Sequence, residues 1–361
     1  MKQHRVLIGD CIESMRTLPD QSVSTCVTSP PYYGLRDYGM AGQIGLEQTP
    51  PEFIARLVEV FREVRRVLRN DGTMWVNMGD TYASGGRGGG GSYMAERGDG
   101  AWAGKGSATG WRSAPAGLKH KDLMGIPWRL AFALQDDGWY LRQDIIWSKP
   151  NPMPESTRDR CTKSHEYVFL LSKSPRYYYD QDAIKEPVAL SSITRMAQDI
   201  DQQCGSDRVP GRSNGPMKAV RSKRDSFKRD ESKRGQPIPG QSLGTHRPGR
   251  EESDWPLDTR NKRSVWNVPT QGFKGAHFAT FPPDLIRPCI LAGAPLGGVV
   301  LDPFGGAGTT AVVAMQEGRK SILCELNPEY AAMAERRIAA AWLDGAAQMD
   351  VFRDTVQHPA A

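Results

Sequence analysis

Near each end of this 361-residue chain, short apolar stretches of strand length alternate with amphipathic stretches of helix length. That alternation is the signature of a parallel sheet flanked by helices, so the expected class is α/β. At the amino end, Val6-Leu7-Ile8 runs into Gly9-Asp10, and an amphipathic turn follows through Ile12, Met15 and Leu18 until Pro19-Asp20 stops it. Residues 23–28 predict a second strand, which leads into Ser29-Pro30-Pro31-Tyr32. Over residues 51–69 Phe53, Ile54, Leu57, Val58, Phe61, Val64 and Leu68 recur at helical spacing, and Asn70-Asp71-Gly72 is the expected terminator before a strand at 73–76. A helix around 123–134 and strands at 141–147 and 167–171 follow. Near the carboxyl end, a strand at 299–302 opens into Pro303-Phe304-Gly305-Gly306-Ala307-Gly308-Thr309-Thr310 and a helix to about Gly318; a strand at 321–324 then ends at Glu325, and a helix starts at Pro328.

Two stretches interrupt the pattern. Residues 83–117 are rich in Gly and Ser, with Trp102 and Trp111 interleaved. Such a composition buries too little apolar surface to offset the entropy of ordering, so it predicts a flexible surface loop; a loop that closes over a bound substrate is the sharper alternative. From about residue 185 to 260 the chain dissolves again into Gly, Pro, Ser, Arg and Lys. Residues 208–234 hold ten basic side chains against three acidic ones, a net +7 that exceeds the +6 of the whole chain. The remainder is nearly charge-balanced, and a polyanionic partner would meet this insertion first, although a solvated linker has the same composition.

At ~150 residues per domain the length allows two units. One domain interrupted by an insertion fits better than two in tandem. The expected division is a first half at 1–184 carrying the loop 83–117, a basic insertion at 185–260, a second half at 261–345 and a tail at 346–361. No apolar run approaches the ~20 residues of a membrane span, and Met1-Lys2-Gln3-His4 lacks an apolar signal core, so a cytoplasmic protein with no membrane contact is expected. The cysteines Cys11, Cys26, Cys161, Cys204, Cys289 and Cys324 form no C-x-x-C pair, which argues against a zinc knuckle or redox dithiol, and no metal is expected.

Two segments carry chemistry. A strand followed by a glycine-rich turn and a helix brings bare backbone close to a ligand and offers free N–H donors. The G-G-x-G spacing fits neither the dinucleotide fingerprint nor the P-loop, which also requires a Lys absent here. Glu325, closing the next strand, can accept from both hydroxyls of a ribose. The other segment, Ser29-Pro30-Pro31-Tyr32, follows a strand, where open α/β sheets place ligands. Its prolines fix φ and donate no N–H, leaving carbonyl acceptors beside an aromatic face. Acceptors beside a stacking platform suit a planar ring with an exocyclic amino group, as in cytosine and adenine.

Thr28-Ser29-Pro30-Pro31-Tyr32 after one strand, Asp302-Pro303-Phe304-Gly305-Gly306-Ala307-Gly308-Thr309-Thr310 much later and Glu325-Leu326-Asn327-Pro328-Glu329-Tyr330 after the next strand resemble the DNA methyltransferases that modify exocyclic amino groups. The order, catalytic segment before cofactor segment, is similar to the circularly permuted β group of that family. Gly9-Asp10, the run from Ile145 to Asn151, His165-Glu166 and the run from His277 to Pro282 add to the likeness, which covers nearly everything except the two low-complexity stretches. The resemblance implies a Rossmann-like seven-stranded sheet, circularly permuted, in which the strand ending at Asp10 lies beside the one ending at Glu325, with a target-recognition region in the insertion.

It also implies S-adenosylmethionine as cofactor. The backbone around Phe304, Gly306 and Gly308 would contact it, and Asp302 would anchor both the turn and the amino-acid moiety. Glu325 would hold the ribose, Asp10 would accept from the adenine amino group, Phe278 and Pro282 would pack against it, and Thr309 would add a polar contact. Ala307 departs from the family, where Ser is frequent. The implied reaction is direct methyl transfer to a base flipped out of double-stranded DNA: its amino group donates to the Ser29 hydroxyl and the Pro30 carbonyl, Pro31 stiffens the segment, and Tyr32 stacks on the ring. Ser before Pro-Pro tends to accompany cytosine N4 modification, and Asp or Asn adenine N6; both remain open, as do an RNA or protein-glutamine substrate and a non-catalytic nucleic-acid-binding protein. A homodimer and a cognate restriction endonuclease are further partners compatible with the family. Cys289 sits in an apolar run without the surroundings of a carbon-5 nucleophile and is expected to be a packed helix residue, and His165-Glu166 a structural hydrogen-bonded pair.

Overall fold

The computed structural model describes residues 3–35, 39–83, 94–96, 102–104, 118–189, 259–271 and 281–356, and the chain divides into two units, Met1–Ile184 with Arg263–Ala361 and Lys185–Lys262. The described strands are β1 (His4–Ile8), β2 (Val23–Thr28), β3 (Leu68–Met78), β4 (Met94–Glu96), β5 (Trp102–Gly104), β6 (Tyr140–Ser148), β7 (His165–Ser172), β8 (Glu186–Pro187), β9 (Thr259–Arg260), β10 (Val265–Asn267), β11 (Val299–Asp302) and β12 (Lys320–Glu325). The described helices are α1 (Cys11–Arg16), α2 (Pro50–Val67), α3 (Ile126–Asp136), α4 (Pro283–Gly293), α5 (Thr309–Gln316) and α6 (Pro328–Val356).

The first unit is organised on one sheet in the order β1-β12-β11-β2-β3-β7-β6-β10. β7 runs antiparallel to both of its neighbours and every other pairing is parallel. The sheet therefore has eight strands where seven are expected. The extra one, β10, is three residues long, too short for any periodicity to announce it, and pairs Trp266 with Trp147 of β6.

Period-two alternation divides the core between the two faces of the sheet. On β3, Met74, Val76 and Met78 pack with α1, α2 and α3, whereas Trp75 packs with α4 on the other face. Phe53, Leu57, Phe61 and Val64 of α2 are fully buried, each contributing about 1.5–3 kcal/mol relative to an exposed side chain. The start of α2 follows from Thr49-Pro50-Pro51-Glu52: the Thr49 side chain accepts from the Glu52 N–H, the Glu52 carboxylate accepts from the Thr49 N–H, and the prolines occupy positions whose N–H would lack a partner.

The helix ends at Val67 and β3 begins at once, so Asn70-Asp71-Gly72 does not terminate the helix as expected. It lies in a register shift between the pairs Val23 with Leu68 and Thr25 with Thr73. A Cβ on Gly72 would come within 2.9 Å of Leu68 Cδ2 and 3.1 Å of the Ser24 carbonyl, so any side chain in this tight bulge would push on both. Among the described residues of the Gly-rich stretch 83–117, β4 and β5 form an antiparallel pair where no strand is expected; the sequence local to a three-residue ladder carries too few side chains to signal it. α6 continues to Val356, past the tail boundary expected at 346. Cys289 lies buried in α4, its Sγ donating to the Leu285 carbonyl.

β1 pairs in parallel with β12, Ile8 standing opposite Glu325, so neighbouring strands come from opposite ends of the chain. In the second unit the described residues form the short antiparallel pair β8–β9, closed by Arg260 and Glu186. Residues 208–234 lie outside the described residues. Among the described residues no helix is long and apolar enough to cross a membrane.

Candidate active site

The carboxyl ends of β1, β12, β11 and β2 stand side by side at one edge of the sheet, and the residues just beyond them include most of those singled out from sequence. Asp302, the last residue of β11, is 1 % exposed. Its Oδ1 accepts from Thr28 Oγ1 at 2.6 Å and from the Phe304 N–H at 3.1 Å, and its Oδ2 from Thr310 Oγ1 at 2.6 Å. Burial raises its pKa and these three donors pull it back. Through these contacts Asp302 shapes the turn and ties it to the end of β2.

Gly306 and Gly308 have φ of 50° and 80°, a region that side chains disfavour. A Cβ on Gly305 would lie 2.8 Å from Leu323 Cβ, and one on Gly308 2.8 Å from Ala334 Cβ. The turn is thus pressed between β12 and α6. Arg337 of α6 donates to the Ala307 carbonyl and to Thr309 Oγ1, so the Thr309 hydroxyl faces the scaffold. Glu325 accepts from the Gly306 N–H at 2.7 Å and the Asn327 N–H at 2.9 Å, and burial raises its pKa. Asp10 caps α1, one oxygen accepting from the Ile12 and Glu13 N–H groups while the other stands 3.8 Å from Arg56.

This edge fits a nucleoside. Two carboxylates end neighbouring strands; a Cβ on Gly9, φ 130°, would meet nothing within 4 Å; and Ile8, opposite Glu325, leaves 59 % of its surface exposed. Acceptors for hydroxyl and amino donors therefore flank an apolar surface. Phe304 is half-buried and Pro282 buried at the start of α4, while Phe278 lies outside the described residues.

The second cluster forms where β2, β3, β6 and β7 meet. Ser29 and Pro30 leave the end of β2, and Tyr32 folds back so that its ring lies on Gly79: a Cβ there would fall 2.6 Å from Tyr32 Cε2 and 3.3 Å from Glu166 Cδ. The Tyr32 hydroxyl donates to Glu166 Oε2 at 2.6 Å. Burial together with the Glu166 carboxylate pushes its pKa well above the usual tyrosine value, keeping it a donor. Asn77 Nδ2 also reaches Glu166 Oε2, and Lys149 Nζ forms an ion pair with Oε1 while lying 4.3 Å above the Trp147 ring.

His165 and Glu166 therefore do not pair with each other; as successive strand residues they diverge, and His165 meets the edge of Tyr167. Sequence reasoning gave Glu166 no place in this cluster, nor Asn77, Gly79 and Lys149. Glu166 and Lys149 lay in runs that matched the family without a role attached, and Asn77 and Gly79 were signalled only by position at a strand end. Asp80, just past β3, accepts from the Gly125 and Ile126 N–H groups and so caps α3, whose own N-cap is a glycine without a side chain.

The DNA methylase family model matches residues 23–336, a span that holds the second cluster whole and the first apart from the end of β1, Asp10 and Arg337. The Type II methyltransferase M.SmaI of Serratia marcescens is 42% identical over 339 residues, covering 94% of this chain and 91% of its own. Among solved structures, a DNA modification methylase from Thermus thermophilus complexed with S-adenosyl-L-methionine superposes with a TM-score of 0.52 at 21% identity, covering 94% of both chains. The PvuII DNA methyltransferase, described as cytosine-N4-specific, does so with a TM-score of 0.54 at 19% identity, covering 92% of this chain and 85% of its own. A glycine turn locked between strand and helix, an acid-ended strand beside it and a Ser-Pro-Pro-Tyr segment one strand away are thus set in a sequence shared over almost the whole length, and the chain belongs to the N6/N4 DNA methylase family as a type II DNA methyltransferase.

Proposed function

We propose that this chain methylates the exocyclic N4 of cytosine in double-stranded DNA, and that Ser29, standing where adenine-directed relatives tend to carry an acid or amide, is the observation that carries this reading. S-adenosylmethionine is the cofactor, and when bound it supplies a sulfonium methyl on a good leaving group. The chain's own residues then have chiefly to align and orient. Glu325 accepts from ribose hydroxyls with its remaining lone pairs, Asp10 accepts from the adenine amino group, and Gly306, Gly308 and Phe304 present backbone and ring to the cofactor. Asp302 holds that turn against Thr28, one residue before Ser29, so a buried hydrogen-bond network ties the cofactor turn to the strand end from which the base segment leaves.

The amino lone pair of cytosine is delocalised into its ring. Accepting its N–H groups at Ser29 Oγ and the Pro30 carbonyl localises that pair toward the methyl, while Tyr32 stacks on the flipped ring. The cytosine-N4 specificity of the PvuII enzyme supports the same choice. The basic residues 208–234 neutralise DNA phosphates in this account, and the type II relatives make a cognate restriction endonuclease the expected partner. Single-molecule sequencing of a plasmid that expresses the chain in a host free of N4-methylcytosine tests the proposal. The expected result is N4-methylcytosine at one short sequence; N6-methyladenine there would overturn the base assignment.

A further inference from the structure

The last turns of α2 lie at the sheet edge opposite the candidate active site. α2 starts beside Tyr33, whose ring packs on Phe53, and its 18 residues carry the chain about 27 Å to the amino end of β3. There Arg62, Arg65 and Arg66, Asp137 after α3 and Lys173 after β7 line a cleft of about 390 Å³. Arg66 is fully engaged: it donates to the Met15 and Leu18 carbonyls and pairs with Asp20 and Glu63. Arg62 pairs with Asp137 at 2.6 Å, which neutralises the one acid among these five residues.

Two cations are left over. Arg65 has no hydrogen bond or ion pair among the described residues, and its Nε–H is buried without an acceptor, a costly state for a charged donor. Its head lies against the turn at Gly138, where a Cβ would stand 3.9 Å from Arg65 Nη2. Lys173 Nζ donates to the Leu68 carbonyl at 2.8 Å, which leaves two of its protons for another acceptor. Burial and the Arg65 charge both lower the Lys173 pKa, so the two cations repel each other across the cleft. The carboxyl end of α2 draws cations, and the Lys173 bond to Leu68 answers that need; Arg65, which meets no carbonyl, is not explained by it. We propose that this cleft is a binding site for a phosphate-type oxyanion, free or esterified, held by Arg65 and Lys173 with Arg62 beside them. A planar guanidinium and an ammonium are the donors that recognise such an anion. The cleft shares no residue with the candidate active site, so it stands whichever base that site methylates.

Inorganic phosphate, titrated by calorimetry into the full chain against chloride at matched ionic strength, tests it. The wild type should bind phosphate saturably. Arg65→Gln and Lys173→Gln should each weaken that binding on the order of tenfold, as the loss of a charge-assisted contact requires, while S-adenosylmethionine binding is unchanged. Arg65→Gln breaks no bond of the folded chain and guards against misfolding of the second variant. The salt dependence of binding to a DNA duplex distinguishes the sources. A slope lower by about one in Arg65→Gln assigns the site to a phosphate of the DNA backbone, and an unchanged slope assigns it to a free phosphate or phosphate monoester; with the loss of phosphate binding, either result supports the site. No saturable phosphate binding by the wild type, or equal binding by all three proteins, would overturn the proposal.

Discussion

Glu325 illustrates at the scale of one residue how a site is held against the preference of its own chemistry. Burial raises its pKa above the usual glutamate value of 4.5, although backbone N–H groups, those of Asn327 and Gly306 foremost, pull it down. The native state therefore holds the proton more tightly than the unfolded chain. This contribution to stability is complete below about 4.5 and is lost as the pH rises through the higher native value. Glu325→Gln, which does not titrate, should accordingly gain in melting temperature relative to the parent as the pH is raised through the range just above 4.5. Thermal melts across that range without cofactor check this, and a gap that stays constant or narrows would contradict it. Glu325 was legible in the sequence because an acid closing a strand after a glycine turn has a local signature. Glu166 was not, because its partners Lys149, Asn77 and Tyr32 stand 17, 89 and 134 residues away and only the sheet order brings them together.

At the scale of elements, the glycine turn is a packing joint as much as a binding loop. Gly308 ends it at φ 80°, with room for no Cβ against Ala334 of α6. Gly308→Ala should destabilise the protein by about 1–3 kcal/mol, from backbone strain and overpacking together, read as a lower urea midpoint with an unchanged slope. An unchanged midpoint would mean that α6 yields to the methyl group. Strands β2 and β11 were legible to the residue because each is a short run rich in β-branched and apolar residues bounded by turn signals. β10 and the β4–β5 pair were not, since ladders of three residues owe their form to the neighbour they pair with. The Asn70-Asp71-Gly72 bulge misled for a related reason: a turn signal marks a change of direction, and only pairing with β2 decides whether a helix or a strand register changes there.

At the scale of the whole molecule, the two ends of the chain supply adjacent strands, and the catalytic and cofactor segments meet through Thr28 and Asp302, 274 residues apart. The +6 net charge is concentrated elsewhere, in residues 208–234. Deleting that stretch should weaken DNA binding and flatten its dependence on salt, as the loss of phosphate contacts requires, while S-adenosylmethionine binding persists. Titrations at several salt concentrations with an unchanged slope would contradict a phosphate-contact role. The central claim is that one sheet edge carries a methyl group from S-adenosylmethionine to cytosine N4. Nucleoside mass spectrometry of DNA incubated with the purified protein and isotopically labelled S-adenosylmethionine tests it most directly: the account predicts labelled N4-methylcytosine, and labelled N6-methyladenine in its place, or no labelled base, would contradict it.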